Sequence, residues 1–239
     1  MKIYQTILCI ATALTLSACG GQSNKAEQTT KTMYIDSLDS ELLYNGATFQ
    51  NEGNGVIINL GSNDGYYDLK NLSHNLIKNL KDYSISVCFK VDSVNTLEGY
   101  GHFLFAFSKL AENKADEGPY MAMRLNEQRF EVSTGGWNHE EFIMQGGQPQ
   151  RNVWIHALYR QTGKCGELYL DGQLVGKNEN MPILSDIFAE DPACCWIGRV
   201  PFAGDKYLTD TEVANFCIFN YAVDDEELNQ FLLDKADLK

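Results

Sequence analysis

The alternation of apolar and polar side chains between Tyr83 and Val91 constrains the fold more than any other feature of this sequence. The odd-numbered positions are all aromatic or β-branched, whereas the even-numbered positions are Ser, Ser, Cys and Lys. A period of two is typical of a half-buried β-strand. Many short strands separated by turns rich in Gly, Asn and Asp predict an all-β fold, an antiparallel β-sandwich or jelly roll. Similar short runs recur at residues 56–60, 66–69, 101–107, 120–125, 129–133, 141–144, 153–159, 167–170, 195–199 and 213–219.

One turn and one helix can be located from local chemistry. Asp171-Gly172 joins two apolar runs in LYLDGQLV, and this pair suits a type I′ hairpin because both residues accept a positive φ. Near the C-terminus, Asp224 and Glu227 have the spacing of a capping box ahead of an apolar helical face. The capping role accounts for this acidic cluster without catalysis. A second short helix is an option at residues 72–80.

Residues 1–18 have the layout of a secretory signal peptide, with a positive start and an apolar stretch at residues 7–16. The stretch ends in Leu-Ser-Ala-Cys, which resembles the lipobox of bacterial lipoproteins. That resemblance implies cleavage before Cys19, attachment of palmitate-type acyl chains to its sulfur, and a lipid anchor that holds the protein on a membrane surface. Gly20 resembles the pattern of outer-membrane sorting, and the membrane face stays open. The alternative is an ordinary secretory leader with a chance cysteine.

The rest of the chain divides into a tether and one domain. Residues 20–32 contain no aromatic residue and no aliphatic residue larger than Ala, as in a flexible tether, so residues 19–32 form the predicted lipidated tether. Residues 33–239 have an even composition without repeats, which favours a single domain. The chain carries 19 basic and 32 acidic side chains, a formal net charge of −13. This balance argues against nucleic acid, whose phosphates are neutralised by Lys and Arg.

The cysteines and histidines suggest no metal centre. Cys9 leaves with the leader and Cys19 takes the lipid, and five cysteines cannot all pair even in an oxidising compartment. No C-x-x-C occurs and the four histidines are far apart, so a zinc site is not expected. The disulfide pairing stays open for Cys88, Cys165, Cys194, Cys195 and Cys217.

Five segments in order resemble the LamG-like jelly-roll branch of the concanavalin A-like lectin/glucanase superfamily, over residues 45–233. The WIHALYRQTGKCGELYLDGQLV segment, residues 154–175, is the most specific of them. Cys88 departs from the family by standing where many members have Trp. The resemblance implies a jelly roll and a broad set of roles: lectins, glycan-binding modules, polysaccharide hydrolases or lyases, and adhesion modules. The other segments are GSNDGYYDL (61–69), DYSISVCFKV (82–91), WIGR (196–199) and VANFCIFNYAVDDEEL (213–228).

The motifs of a polysaccharide-cleaving enzyme are missing from the sequence. Glycoside hydrolysis needs two carboxylates across the scissile bond, which the jelly-roll glucanases place on one strand as Glu-x-Asp-x-x-Glu. The nearest match, residues 36–41, starts with Asp and lies beside the tether. No G-x-S-x-G elbow and no Cys–His pairing presents a nucleophile. A non-catalytic protein is therefore expected.

Candidate binding residues lie in loops, where a rigid scaffold usually carries its function. The hairpin loop around Trp137, Asn138 and His139 is the first candidate for sugar stacking and hydroxyl recognition, and the alternative is a Trp137 ring folded over its own sheet. Trp154, Trp196 and His156 fall within strand patterns and are expected in the core. Secondary candidates for carbohydrate binding are Tyr100, His102 and Arg199. Many LamG-like domains hold Ca²⁺, and the candidate ligands for such a structural ion are Asn63, Asp64, Asp205 and Asp210.

Three functional hypotheses follow. The first is an envelope-anchored, non-catalytic lipoprotein that binds a glycan or polysaccharide. The second is a structural or adhesion module of the same fold that holds a protein partner through an edge or loops. The third is a divergent polysaccharide hydrolase or lyase, which would require two carboxylates to meet in a cleft at hydrolase spacing.

Overall fold

The computed structural model describes residues 32–34, 39–52, 55–69 and 76–238. The predicted signal peptide, Cys19 and nearly all of the tether lie outside these residues. Within them, two antiparallel sheets of eight and seven strands pack face to face. The predicted all-β antiparallel sandwich with a C-terminal helix is therefore confirmed.

The strand order explains which loops meet. Consecutive hairpins at the sheet edges alternate with pairs of strands that are distant in sequence, as in a jelly roll. The first sheet runs β13 (Gln173–Asn178), β12 (Cys165–Leu170), β11 (Ile155–Thr162), β6 (Tyr83–Val91), β15 (Thr211–Phe219), β4 (Gly55–Asn59) and β3 (Thr48–Glu52), with β1 (Thr32–Tyr34) also paired to β15. The second runs β10 (Glu140–Met144), β9 (Arg129–Ser133), β8 (Tyr120–Arg124), β7 (Phe103–Ser108), β14 (Cys194–Ile197), β5 (Tyr66–Asp68) and β2 (Leu43–Tyr44).

Helices are short and few in the described part of the chain. Helix α1 is Leu184–Ile187 and α2 is Asp225–Ala236, and the 3-10 turns are Ser40–Leu42, Ile77–Asn79 and Glu112–Glu117. The option of a helix at residues 72–80 is not supported where the structure describes them, since only the 3-10 turn forms there. None of the described helices is long and apolar enough to cross a membrane.

The two local predictions are confirmed. Asp171 and Gly172 have φ values of 47° and 75° between β12 and β13, as a type I′ turn requires. The Asp224 carboxylate accepts from the backbone N–H of Glu227 at 2.9 Å, and the Glu227 carboxylate accepts from the N–H of Asp224 at 3.0 Å. Both features depend on residues within three positions of each other, which is why local chemistry was sufficient.

Strand β6 is buried on both faces, so its prediction as a half-buried strand was wrong. Ser84, Ser86 and Cys88 are buried as deeply as the apolar residues between them. The Ser84 hydroxyl accepts from the backbone N–H of Val223, and the Ser86 hydroxyl lies 2.8 Å from His156 Nε2. Helix α2 and the segment before it cover this face, and small polar residues are tolerated there because they are hydrogen-bonded.

The main core fills the space between the sheets. It is rich in aromatic rings, with Phe130 and Tyr159 stacked at 3.6 Å between ring centroids and Phe105 packed edge-on against Phe216 at 5.4 Å. Trp154, Trp196 and His156 are buried, as predicted. The structure gives no disulfide among its described cysteines, which are Cys88, Cys165, Cys194, Cys195 and Cys217.

The two ends of the sandwich differ in what they carry. Four loops meet at one end, here called the cleft end: residues 61–65, 92–102, 145–154 and 198–210. The N–H of Asp92 donates to the Asp210 carbonyl at 2.9 Å, and the N–H of Asp210 donates to the Gly61 carbonyl. The opposite end carries α1 and the β9–β10 hairpin. Strand β1 begins there too, since Thr32 pairs with Phe219 at the far end of β15.

Candidate functional site

Two adjoining clefts open at the cleft end. The larger has a volume of about 440 Å³ and the smaller about 380 Å³, and Val94 and Asp210 line both. A volume of this size suits a small ligand or one to two sugar units. The larger cleft is lined by Asp64, Val94, Asn95, Thr96, His102, Asp205, Lys206, Tyr207, Thr209 and Asp210. The smaller cleft adds Asn59, Lys90, Asp92, Asn152, Thr211 and Glu212.

The larger cleft is held by a close contact between two loops. The N–H of His102 donates to the Lys206 carbonyl at 2.8 Å, and the N–H of Lys206 donates to the Tyr100 carbonyl at 3.1 Å. Gly101, with a φ of 105°, lies between these bonds, and a Cβ there would overlap the Lys206 backbone. Glycine is needed because the two backbones approach so closely.

Left-handed backbone conformations are concentrated around the clefts. Asp64, His102, Asn152 and Asp210 have φ values of 55°, 61°, 58° and 47°. Such conformations cost free energy in residues other than glycine and persist only where the surrounding structure enforces them. The cleft is therefore built with fixed loop geometry before any ligand arrives.

His102 supplies an unsatisfied hydrogen-bond acceptor. The residue is 4% exposed and its Nε2 lies 3.1 Å from the Glu98 carbonyl. Burial lowers the pKa of His102, so the ring is neutral near pH 7. A carbonyl only accepts, so Nε2 carries the proton and Nδ1 is left as an acceptor. Nδ1 has no hydrogen-bond partner in the described structure.

The structure brings together several residues that the sequence named separately. His102, Asp64, Asp205 and Asp210 all line the larger cleft, and Tyr100 lies beside it with 71% of its surface exposed. Burial raises the pKa of Asp205, although Arg124 and His102 act in the opposite sense. The described residues make no hydrogen bond or ion pair to the carboxylates of Asp64, Asp205 and Asp210. These groups are available to a ligand.

The predicted calcium ligands do not form a coordination shell. Asn63 is not in the lining, and no three His, Cys, Asp or Glu side chains of the described chain are close enough to hold a metal ion. Calcium takes six to eight oxygen ligands. The carboxylates of Asp64, Asp205 and Asp210 share one cleft without converging, so these residues by themselves do not fit the ion.

The first sequence candidate, Trp137, lies at the opposite end with Asn138 and His139. Its ring is 41% exposed and packs edge-on against Phe202 at 5.8 Å. The loop is anchored because Gly136, with a φ of 99°, contacts the Asp116 carbonyl so closely that no side chain fits. Trp137 is thus half folded over its sheet and half available, and it is not among the lining residues of either cleft.

Arg199 is engaged inside the protein. Its Nε and Nη2 donate to Glu112 at 3.1 and 2.9 Å, and Nη1 donates to the Tyr66 hydroxyl at 3.0 Å. The guanidinium also lies 4.1 Å from the centre of the Trp196 ring. These contacts fasten two loops onto the outer face of the second sheet. Carbohydrate binding by Arg199 stays a prediction, and its donors already have partners.

Sequence reasoning did not name several lining residues. Asn95, Thr96, Lys206 and Thr209 lie in the same loops as the predicted residues, but nothing in their local sequence distinguishes them from other polar loop positions. Asn95 shapes the loop, since its side chain donates to the Thr209 carbonyl at 2.7 Å and accepts from the N–H of Leu97 at 2.8 Å. Only the strand order reveals that these loops meet.

The fold and this end cleft define a jelly-roll sandwich with a preformed polar site. Residues 61–229 match the Laminin_G_3 family, described as the concanavalin A-like lectin/glucanases superfamily, and the chain belongs to it. The predicted resemblance is thereby confirmed. No curated protein matches the sequence.

Solved structures share the fold at low sequence identity. Domain 4 of AbnA, a GH43 extracellular arabinanase from Geobacillus stearothermophilus in complex with arabinotriose, has a TM-score of 0.56 at 13% identity, over 78% of this chain and 81% of that one. The botulinum neurotoxin serotype D/C binding domain has a TM-score of 0.56 at 12% identity, and the serotype D binding domain 0.55 at 11%. Both neurotoxin matches cover 86% of this chain and 47% of the other, so this chain spans about half the toxin domains' length.

Proposed function

We propose that this protein is an envelope-anchored, non-catalytic carbohydrate-binding lipoprotein that takes its glycan in the larger cleft. The observation that carries the proposal is the buried acceptor of His102 in a cleft that also holds the unpaired carboxylates of Asp64, Asp205 and Asp210. Sugar hydroxyls are hydrogen-bond donors that would satisfy these acceptors. A ligand would replace the water that such buried polar groups otherwise require.

Tyr100 supports a sugar ligand in particular. Its side chain is largely exposed between Gly99 and Gly101, and its carbonyl accepts from the N–H of Lys206, a residue of the cleft lining. An aromatic face next to polar groups is the usual arrangement for holding the apolar face of a sugar ring while its hydroxyls are recognised. The arabinotriose bound to domain 4 of AbnA is a property of that protein, and it supports the compatibility of this fold with an oligosaccharide.

The carboxylate pair of Glu131 and Glu140 does not favour a hydrolase or lyase. The Tyr120 hydroxyl donates to Glu140 at 2.6 Å and lies 3.4 Å from Glu131, so two carboxylates meet there. Glu131 is fully buried and pairs with Arg129 at 2.5 Å. A carboxylate that a substrate cannot reach does not act as a nucleophile or base.

The position of β1 is compatible with the proposed anchor. Thr32 pairs with Phe219, whereas Thr211 at the other end of β15 borders the clefts. Eight residues of strand separate these positions by roughly 25 Å. A tether that joins the domain at Thr32 would leave the clefts facing away from the membrane.

The anchor is testable through Cys19. Palmitate supplied to growing cells should label the wild-type protein, and Cys19→Ala should abolish the label and release the protein from the membrane fraction, because the acyl chains are the only attachment proposed. Cys165→Ala serves as the matched cysteine control and should retain the label. Equal labelling of Cys19→Ala and wild type would contradict the anchor.

Glycan binding is testable by comparing two exposed aromatic residues. On a glycan array or a panel of polysaccharide gels, Tyr100→Ala should weaken binding at least about tenfold, because it removes the stacking surface beside the cleft. Trp137→Ala should change binding less than about twofold. The opposite ranking would move the site to the hairpin at the other end. Failure of the wild type to bind any glycan would overturn carbohydrate binding.

A protein-interaction module is the second candidate, and one observation favours it. Trp137, Phe142 and Met144 are exposed on the hairpin and the edge strand β10, and exposed apolar clusters mark protein contacts. The Phe142 ring is, however, covered on one face by the Arg129 guanidinium at 3.8 Å. The same panel separates the candidates, since a protein that binds no glycan but associates through Trp137 would favour this alternative.

A further inference from the structure

The charged groups that line the larger cleft are mainly hydrogen-bond acceptors, whereas Asn95, Thr96, Tyr207 and Thr209 can both donate and accept. The carboxylates of Asp64, Asp205 and Asp210 only accept when ionised, and His102 Nδ1 is an acceptor because its other nitrogen donates to Glu98. The only charged donor in the lining is Lys206. A ligand that fills this cleft must therefore bring donors for the three carboxylates, or leave these acceptors unsatisfied at a cost.

Both clefts also have more negative than positive side chains in their linings. The smaller cleft adds Asp92 and Glu212 to the three carboxylates of the larger one, and its single cation, Lys90, is already paired with Glu212 at 2.5 Å. Neither lining contains an arginine. A carboxylate or sulfate on a ligand would meet like charge here, whereas a cation would meet opposite charge inside a partly desolvated site.

We infer that the ligand of the larger cleft is an amino sugar, a glycan unit with a free, protonated amine. The ammonium group brings three donors and one positive charge to a lining in which three unpaired carboxylates and the His102 acceptor face a single lysine. Because these carboxylates do not converge, the ammonium pairs with some of them and is attracted by the charge of the others. This inference rests on the proposed function, because it specifies the substrate class of the same site. Uronic-acid and sulfated glycans are disfavoured by the same arrangement.

The test uses one sugar backbone with and without the charge. Glucosamine oligomers and their fully N-acetylated counterparts of equal length differ only at the nitrogen, which is a charged amine in the first and an uncharged acetamido group in the second. Titration calorimetry in the presence of a chelator, at a pH that protonates the amine, should give at least about tenfold tighter binding of the free-amine oligomer. The preference should diminish as salt is added, because the interaction is partly electrostatic.

Two double variants of equal net charge distinguish the effect of the cleft carboxylates from the effect of the protein's overall negative charge. Asp64→Asn with Asp210→Asn neutralises two lining carboxylates, whereas Asp186→Asn with Glu226→Gln neutralises two exposed acids at the opposite end. The first pair should reduce the preference for the amine to less than about threefold, and the second pair should leave it unchanged. These changes are at exposed or half-buried positions, so both variants should fold.

Each remaining outcome has a definite meaning. If the wild type binds the acetylated and free-amine oligomers equally, the amine inference is wrong and the proposed glycan binding stands. If both double variants lose the preference equally, the overall charge causes it and the inference is also wrong. If no oligosaccharide in the wider panel binds, the proposed function itself fails. Binding that disappears with the chelator would assign the cleft to a metal ion and overturn the inference.

Discussion

Glu131→Ala is expected to lower the free energy of unfolding by about 3–5 kcal/mol, because removing one partner of a buried ion pair leaves the other uncompensated. Glu131 is 0% exposed on the outer face of the second sheet. Its carboxylate lies 2.5 Å from Arg129 Nε and 3.5 Å from Arg124 Nε, and both arginine side chains are themselves mostly buried. After this truncation the two guanidinium groups would keep only the half-exposed Glu127, which lies 3.0 Å from Arg124 and 3.9 Å from Arg129.

Urea unfolding followed by tryptophan fluorescence measures this loss. Burial raises the pKa of Glu131 to about 7, against the effect of the two guanidinium groups. The comparison is therefore made above that pKa, where the carboxylate is ionised. The matched control is Glu179→Ala, whose partner Lys177 and own side chain are exposed, so little or no change in the free energy of unfolding is expected. A similar small loss for Glu131→Ala would show that the ion pair contributes no net stability.

Acidification should destabilise the fold through His156. Burial lowers the pKa of this residue to about 4, and its ring lies under α2 at 5.8 Å from the Phe231 ring. An unfolded histidine takes up a proton below about pH 6.5, whereas the folded one stays neutral to about pH 4. The unfolded state therefore binds more protons in that window, and stability is lost as the pH falls through it, by about 3 kcal/mol in total.

His156→Gln isolates this contribution. Glutamine can still bond to the Ser86 hydroxyl, which lies 2.8 Å from the histidine Nε2, but it does not titrate. The variant should lose stability less steeply than the wild type between pH 6.5 and 4. His102, whose pKa is also lowered, contributes in the same direction in both proteins and cancels in the difference. His139→Gln, at an exposed loop position, is the control, and an equal slope for His156→Gln and wild type would contradict the prediction.

The composition of the candidate site could not be predicted from local sequence. Asp64, His102 and Asp210 could be named as polar loop residues, but the sequence offered no reason for them to share one cleft. They are brought together by the strand order. Each residue lies just before a strand, and β5, β7 and β15 begin near one another although at least 38 positions separate these residues in sequence. Trp137 also looks like a binding residue in a polar loop when only its sequence neighbours are considered, yet its hairpin lies at the other end of the sandwich.

The sequence by itself determined the features that depend on near neighbours. These are the strand periodicity, the Asp171-Gly172 turn and the capping box at Asp224, each fixed by backbone preferences or hydrogen bonds over a few residues. Only the tertiary structure decided which polar residues became buried. The even-numbered face of β6 and Glu131 have the pattern of solvent-facing positions, but α2 and the arginine side chains cover them. Burial depends on which distant segments pack against a strand, and the alternation of residues along one strand does not show which segments those are.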